Sequence, residues 1–337
     1  MRIGFSLVDL AAGGAQTMLV QLAEGLAARG HQIECYLRSE ASSTVYTNPF
    51  LLNQLTNCSN LTSTPRSLIS CDVIQLDGYH SLKNKLPYFG VRDKCIETYH
   101  SLYSIDRSRP LLIRNRVAVS QFIKTYLPPS TVVIPNGISL PDIPLNGVRP
   151  FDVAILGRIH PVKGHDFFLR VCDALYQELG FLNVLCIGGF SKTGPFTQKI
   201  MAEIDRLRSK GINIHVTGVL PYSEVYAWLS KVKILLAPSV EEGFGRMAIE
   251  AMACYVPVVA NPVGGLKEII LDRQTGFLAR LDNLVSFRDI TLELLKNTTL
   301  RLEISRNGRH DVESKYTIQQ MVEAYEMFYQ MVEGKNR

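Results

Sequence analysis

Along the chain, short runs rich in β-branched and other apolar residues alternate with longer stretches in which apolar positions return every three or four residues. That alternation predicts parallel sheets whose strands are joined by crossover helices, an α/β fold. In the first half the strands are expected at 3–7, 32–37, 72–76, 95–99, 117–120 and 131–135. Between the first two, Leu19, Leu22, Ala23 and Leu26 recur on one face of a helix over 15–28, which makes a βαβ opening. Residues 39–70 are rich in Ser, Thr and Asn with few periodic apolar positions, so loops with at most a short helix are expected there.

The stretch 142–150, broken by Pro144, Gly147 and Pro150, looks like a linker. A second strand-helix series follows, with strands expected at 151–156, 183–187, 212–216, 234–237 and 257–260 and helices at 165–179, 197–209, 222–230 and 246–254. A tail over 317–332 is amphipathic, with Ile318, Met321, Val322, Tyr325, Phe328 and Val332 on one side. A chain of 337 residues, 46% hydrophobic, has material for two cores of ordinary size. The expected division is 1–145, 146–316 and a C-terminal helix over 317–337.

Charge changes this picture little. A net +5 is far below what a dedicated nucleic-acid binder carries, so no nucleic-acid partner is expected. The seven cysteines are odd in number and have no metal-clip or redox spacing, which points to a reduced, cytoplasmic chain. The start turns polar at Asp9, too soon for a signal peptide, and the apolar uncharged stretch 251–266 is too short and too proline-broken to span a bilayer.

Five groups of residues could carry chemistry. Gly13-Gly14 opens the first helix, where backbone amides attract anions and glycine admits close approach, although a plain tight turn needs the same pair. The pattern is not Gly-x-Gly-x-x-Gly, and no acidic residue ends the second strand, so a dinucleotide site and a dehydrogenase are disfavoured. Gly157-Arg158 and Lys163-Gly164 fall where the second series passes from its first strand to its first helix. A guanidinium and an ammonium there can hold the charges of a diphosphate leaving group, against the alternative of two solvated cations. Glu242-Gly243-Phe244-Gly245-Arg246-Met247-Ala248-Ile249-Glu250 places two carboxylates roughly 8 to 12 Å apart along a helix start, suited to the hydroxyls at two ends of one ligand. Plain dipole partners are the bland alternative; Gly243 and Gly245 speak against it because they weaken a helix start for no structural gain.

His100, at the end of a buried-looking strand, is expected to face a crevice between the domains, but His80, His160 and His165 compete for that role and spacing does not choose. Finally, Lys83, Lys85, Arg92, Lys94, Arg107, Arg109, Arg114 and Arg116 interleave with Leu86, Tyr88, Phe89, Leu102 and Tyr103. Over 83–116 this makes either a peripheral membrane or anionic-acceptor patch or an ordinary solvated face.

Taken in order with Ile134-Pro135-Asn136-Gly137, Pro257-Val258-Val259-Ala260, Gly264-Gly265 and Thr275-Gly276, these motifs resemble the GT4 family of GT-B glycosyltransferases, almost end to end. The resemblance implies two Rossmann-like domains with parallel sheets facing an interdomain cleft, and a final helix crossing back to the N-terminal domain. It implies a retaining, metal-independent transferase with no cofactor, using a nucleotide diphosphate sugar, UDP favoured, and a glycan or lipid-linked acceptor at the inner face of the membrane. Arg158 and Lys163 would hold the diphosphate, Glu250 the ribose, and Glu242 the transferred sugar, aided by amides of Phe244, Gly245, Arg246 and Met247. His100 would lie beside that sugar, Gly14 on the phosphate or acceptor side, and Val219 at the base. One departure is Tyr255, where the family carries glycine. The rival reading is a non-catalytic module that binds sugar nucleotides or glycans in an assembly complex.

Overall fold

The computed structural model describes residues 1–8, 10, 13–38, 49–78, 82–108, 112–189 and 194–335. Its chain divides into two units, Met1–Ser139 with Tyr316–Arg337, and Leu140–Lys315.

In the first unit the apolar runs become β1 (Arg2–Leu7), β2 (Gln32–Leu37), β3 (Asn60–Leu61), β4 (Val73–Asp77), β5 (Cys95–Tyr99), β6 (Asn115–Ala118) and β7 (Val132–Val133). They form one parallel sheet in the order β3-β2-β1-β4-β5-β6-β7. Helix Gly14–Ala28 lays Met18, Leu19, Leu22, Ala23 and Leu26 on this sheet. The tail forms helix Ile318–Gly334, started by a capping box in which Thr317 and Gln320 satisfy each other's backbone amides. It buries Met321, Val322, Tyr325, Phe328, Tyr329 and Val332 in the same core. Its two buried phenols are satisfied: Tyr329 donates to Gln75 Oε1 at 2.8 Å, and Tyr325 shares a hydrogen bond with Thr98 Oγ1 at 3.0 Å. The amphipathic tail therefore completes the first unit's core.

Stretch 39–70 holds more structure than expected: helix Pro49–Cys58 and strand β3. That helix buries only Leu51 and Leu55, one turn apart, which is too little apolar periodicity to stand out in the sequence. Residues 39–48 lie outside the described residues.

The second unit contains β8 (Phe151–Leu156), β9 (Asn183–Ile187), β10 (Asn213–Val216), β11 (Val232–Ala237), β12 (Val258–Ala260) and β13 (Phe277–Leu278), parallel in the order β10-β9-β8-β11-β12-β13. Helices His165–Leu179, Pro195–Ser209, Tyr222–Leu229 and Arg246–Ala253 match the expected crossovers. Two further helices, Leu284–Lys296 and Thr298–Lys315, follow β13. The expected linker, 142–150, has no regular element, yet it is fastened to the second unit: Arg149 donates to the carbonyls of Val232 at 2.7 Å and Cys254 at 2.9 Å.

Candidate functional site

Strand order reverses on either side of β8: β9 lies to one side of it and β11 to the other. The connections leaving β8 and β11 therefore diverge, and a parallel sheet binds ligands at the carboxyl end of such a switch point. Both clusters of candidate residues arise there. After β8 come Gly157, an exposed Arg158 and a short turn, Pro161–Lys163. Gly164 closes that turn at φ 71°, and a Cβ on it would lie 2.3 Å from the carbonyl of Pro238, which follows β11. The two loops are joined again by the amide of Val240, which donates to the carbonyl of Val162 at 3.0 Å. This close approach brings Lys163 Nζ to 2.6 Å from Glu242 Oε2, both side chains being only partly exposed.

Beyond Glu242 the chain turns through Gly245 at φ 109° into helix Arg246–Ala253. A Cβ on Gly245 would meet Leu266 Cδ2 at 2.8 Å. The expectation that Gly243 and Gly245 give no structural gain is corrected here, since Gly245 fulfils a backbone and a packing requirement. Phe244 and Met247 are buried beneath the helix start, whose first-turn amides point out of the helix end.

Glu250 lies one turn into the helix, 6% exposed, and accepts from Arg246 Nε at 2.7 Å. Burial raises its carboxyl above the usual carboxylate range, opposed by Arg246, by a hydrogen bond from Tyr222 and by the charge of Lys163. The Arg246 guanidinium lies 4.7 Å from the centre of the Tyr222 ring, and the Tyr222 and Tyr226 hydroxyls are 2.5 Å apart. Burial pushes the Tyr222 phenol up to about 12. Sequence reasoning used only the backbone of Arg246 and missed Tyr222 and Tyr226. The available signals were Arg246 and Glu250 four residues apart on one helix face, and a second such pair at Tyr222 and Tyr226. Val219, expected at the base, follows β10 and is 63% exposed, with its amide against Gly189 beyond β9.

Gly14 and His100 belong to the first unit. Gly14 is exposed and opens its first helix. His100 follows β5 and is 8% exposed; burial lowers its pKa to about 4, with Asp77 pulling the other way, so it is neutral at pH 7. Asp77 ends β4 and accepts from the amide of Val8 at 2.9 Å. Of the competing histidines, His160 accepts from the amide of Val162 and thereby caps the turn before Lys163. His165 is buried in the second unit at 2% exposure, with a pKa lowered to about 4 by burial. His80 lies outside the described residues.

The basic segment 83–116 is not one face. Lys85 is buried and paired with Glu97 at 2.8 Å, Lys94 donates to the carbonyls of Ile69 and Cys71, and Arg116 is 8% exposed. These charges are used inside the fold. Lys83, Leu86, Phe89, Tyr103 and Arg114 are exposed, Arg92 lies over the Phe89 ring, and Arg109 and the Arg107 side chain are outside the described residues. Among the described residues no helix is long and apolar enough to cross a membrane, and no three His, Cys, Asp or Glu side chains are grouped to hold a metal.

A parallel α/β unit with a cation and a carboxylate in contact at its switch point has the frame of a ligand-binding domain. Residues 150–297, within the second unit, match the family described as glycosyl transferases group 1. An uncharacterized glycosyltransferase of Methanocaldococcus jannaschii is 32% identical over 197 residues, 57% of this chain and 53% of that protein. The chain thus spans about half the length of this relative. Among solved structures, a glycosyltransferase of Rickettsia africae superposes with a TM-score of 0.78 at 19% identity, covering 98% of each chain. Anabaena HepE in complex with UDP superposes with a TM-score of 0.78 at 18% identity, covering 98% of this chain and 100% of that one. The fold is GT-B, two Rossmann-like units, as the sequence resemblance implied.

Proposed function

We propose that the protein is a retaining glycosyltransferase that moves a hexose-type sugar from a nucleotide diphosphate donor, UDP favoured, to a glycan or lipid-linked acceptor. The observation that carries this reading is the Lys163–Glu242 contact at the switch point, beside the buried Arg246–Glu250 pair. In the free protein Lys163 and Glu242 neutralise each other. A donor whose diphosphate reaches Lys163 and Arg158 takes the cation over, and releases the Glu242 carboxylate to accept from the sugar's hydroxyls. Glu250, held by Arg246 and Tyr222, accepts from the ribose, and the amides of Phe244, Gly245, Arg246 and Met247 cover the pyrophosphate. Val219 lies along the base. As the anomeric bond breaks, negative charge grows on the diphosphate, and Arg158 and Lys163 stabilise it. The acceptor hydroxyl attacks from the face the diphosphate leaves, and its proton passes to the departing diphosphate oxygen. His100, neutral at pH 7, donates to a hydroxyl of the transferred sugar, and Gly14 lines the acceptor side.

The preference for UDP is supported by the UDP complex of HepE, a structure of the same fold. The same reading takes in a peripheral contact with the cytoplasmic membrane face in cell-surface polysaccharide or glycolipid synthesis, for which the segment 83–116 offers the exposed Lys83, Leu86, Phe89, Tyr103 and Arg114.

A thermal-shift panel of UDP, GDP, ADP and their sugars tests the donor, since a ligand that binds only the folded state raises the melting temperature by mass action. The largest rise is expected with UDP sugars. Lys163→Ala should stay folded and lose about a hundredfold or more in turnover. Near-normal transfer by that variant removes Lys163 from the reaction. UDP binding without transfer to any acceptor extract leaves a binding module in place of an enzyme.

A further inference from the structure

At the opposite edge of the second unit's sheet lies a cavity of ≈ 290 Å³ that the donor reading does not use, lined in part by Arg149, Lys233, Tyr255, Thr298, Arg301 and Ser305. Arg149 precedes β8, Lys233 is the second residue of β11, and Tyr255 precedes β12. The cavity is thus at the amino ends of the strands, a strand length of roughly 15–20 Å from Lys163 and Glu242.

Two features mark it out. The first is charge. Lys233 is balanced by Asp152 at 2.8 Å. Arg149 donates to the carbonyls of Val232 and Cys254, and Arg301 to those of Leu294 at 2.8 Å and Leu295 at 3.2 Å and to Thr298 Oγ1. Carbonyls fix the direction of a guanidinium without cancelling its charge. Burial holds both arginines below their ordinary values, and Arg301 adds to the effect at Arg149. The second feature is Tyr255, the departure from the family pattern. Its φ is 56°, a left-handed conformation that costs a non-glycine residue roughly 1–2 kcal/mol. A large aromatic residue is thus kept, at a strained backbone position, on the wall of a cationic cavity, with the Arg309 guanidinium 5.3 Å from its ring centre.

We propose that this cavity is a second ligand site taking a small phosphorylated sugar, with Arg149 and Arg301 on the phosphate and Tyr255 against the sugar. Its volume, just under the usual range of small-ligand cavities, about 300–1,000 Å³, suits one sugar ring and one phosphate. Two guanidiniums recognise a phosphate dianion through paired donors, and an aromatic ring covers the apolar face of a pyranose.

The test is a calorimetric titration of the full chain with inorganic phosphate, glucose 6-phosphate and glucose. It is done with UDP present and again in a Lys163→Ala background, so that the donor cradle cannot account for anion binding. Glucose 6-phosphate is expected to bind about tenfold or more tightly than inorganic phosphate, and glucose not at all. Arg301→Met is expected to weaken glucose 6-phosphate about tenfold. Tyr255→Gly, which suits the backbone, should keep or raise the melting temperature while reducing glucose 6-phosphate to the affinity of phosphate. Absence of glucose 6-phosphate binding under both conditions overturns the proposal, as does unchanged affinity in both variants.

Discussion

At the residue scale, the second unit's switch point is built from two charge pairs in different environments. Lys163 and Glu242 are partly exposed, so their pairing is cheap to exchange for a ligand. Arg246 and Glu250 are enclosed, at 8% and 6% exposure, and removing one partner strands the other. Arg246→Met should therefore cost about 3 kcal/mol of stability, with most of it recovered in the Arg246→Met/Glu250→Leu double variant, as read by urea unfolding. If the single variant is as stable as the parent, Glu250 is not held by Arg246. The buried histidines give a pH signature. His100 and His165 have pKa values near 4 in the fold against an ordinary 6.5, so the unfolded chain takes up their protons first as the pH falls. Their contribution is fully present above pH 6.5 and is lost between 6.5 and about 4, up to about 3 kcal/mol for each histidine. Unfolding midpoints from pH 7 to 4 should show a shallower decline in His165→Leu than in the parent; parallel curves would contradict the assignment.

Much of this site could be anticipated residue by residue, for a physical reason. Arg158, Lys163 and Glu242 lie where an apolar run gives way to a helical period, each beside a glycine that marks close backbone approach, and Glu250 stands one turn into the helix that follows. What escaped was tertiary. Lys163 and Glu242 are 79 residues apart, and no spacing announces that one loop lies against the other. The Tyr222 ring against the Arg246 guanidinium is of the same kind. In the segment 83–116 the count of cations was right and their location was not, because Lys85 finds Glu97 inside the fold.

At the element scale, position is set by short-range chemistry at the ends of strands. Gly164 is the last residue of one turn and the residue preceding helix His165–Leu179, and the Pro238 carbonyl leaves it no room for a side chain. Gly164→Ala should both strain the backbone by roughly 1–2 kcal/mol and push apart the loops that bring Lys163 to Glu242. The expected result is a lower melting temperature together with weaker UDP binding; a loss of stability at unchanged UDP affinity would uncouple the loop contact from the site. Helix boundaries were readable where an apolar stripe was continuous, as in Gly14–Ala28 and His165–Leu179. Thr298–Lys315 was not, because its buried face runs Ile304, Ser305, Gly308 and Val312, in which small and polar residues break the stripe. Close packing made that face suitable, and close packing leaves no mark in a hydropathy pattern.

At the scale of the whole molecule, the two units differ in how the chain builds them. The second is one continuous stretch, Leu140–Lys315, whereas the first joins residues 1–139 to the tail. A chain ending at Lys315 should keep a cooperative transition for the second unit and lose that of the first, because the tail helix supplies six buried side chains, Met321, Val322, Tyr325, Phe328, Tyr329 and Val332. Calorimetry with limited proteolysis would read this out; an intact first transition would show the tail to be dispensable.

That arrangement bears on how the protein is made. While the ribosome is still adding the second unit, strands β1–β7 wait with an apolar surface uncovered, since the helix that covers it is encoded after that unit. The later half can settle first, and the opening half is finished only once the tail has been added. During that interval the nascent protein is at its most vulnerable to aggregation, and a chaperone's grip would matter most on the strands still lacking their covering helix.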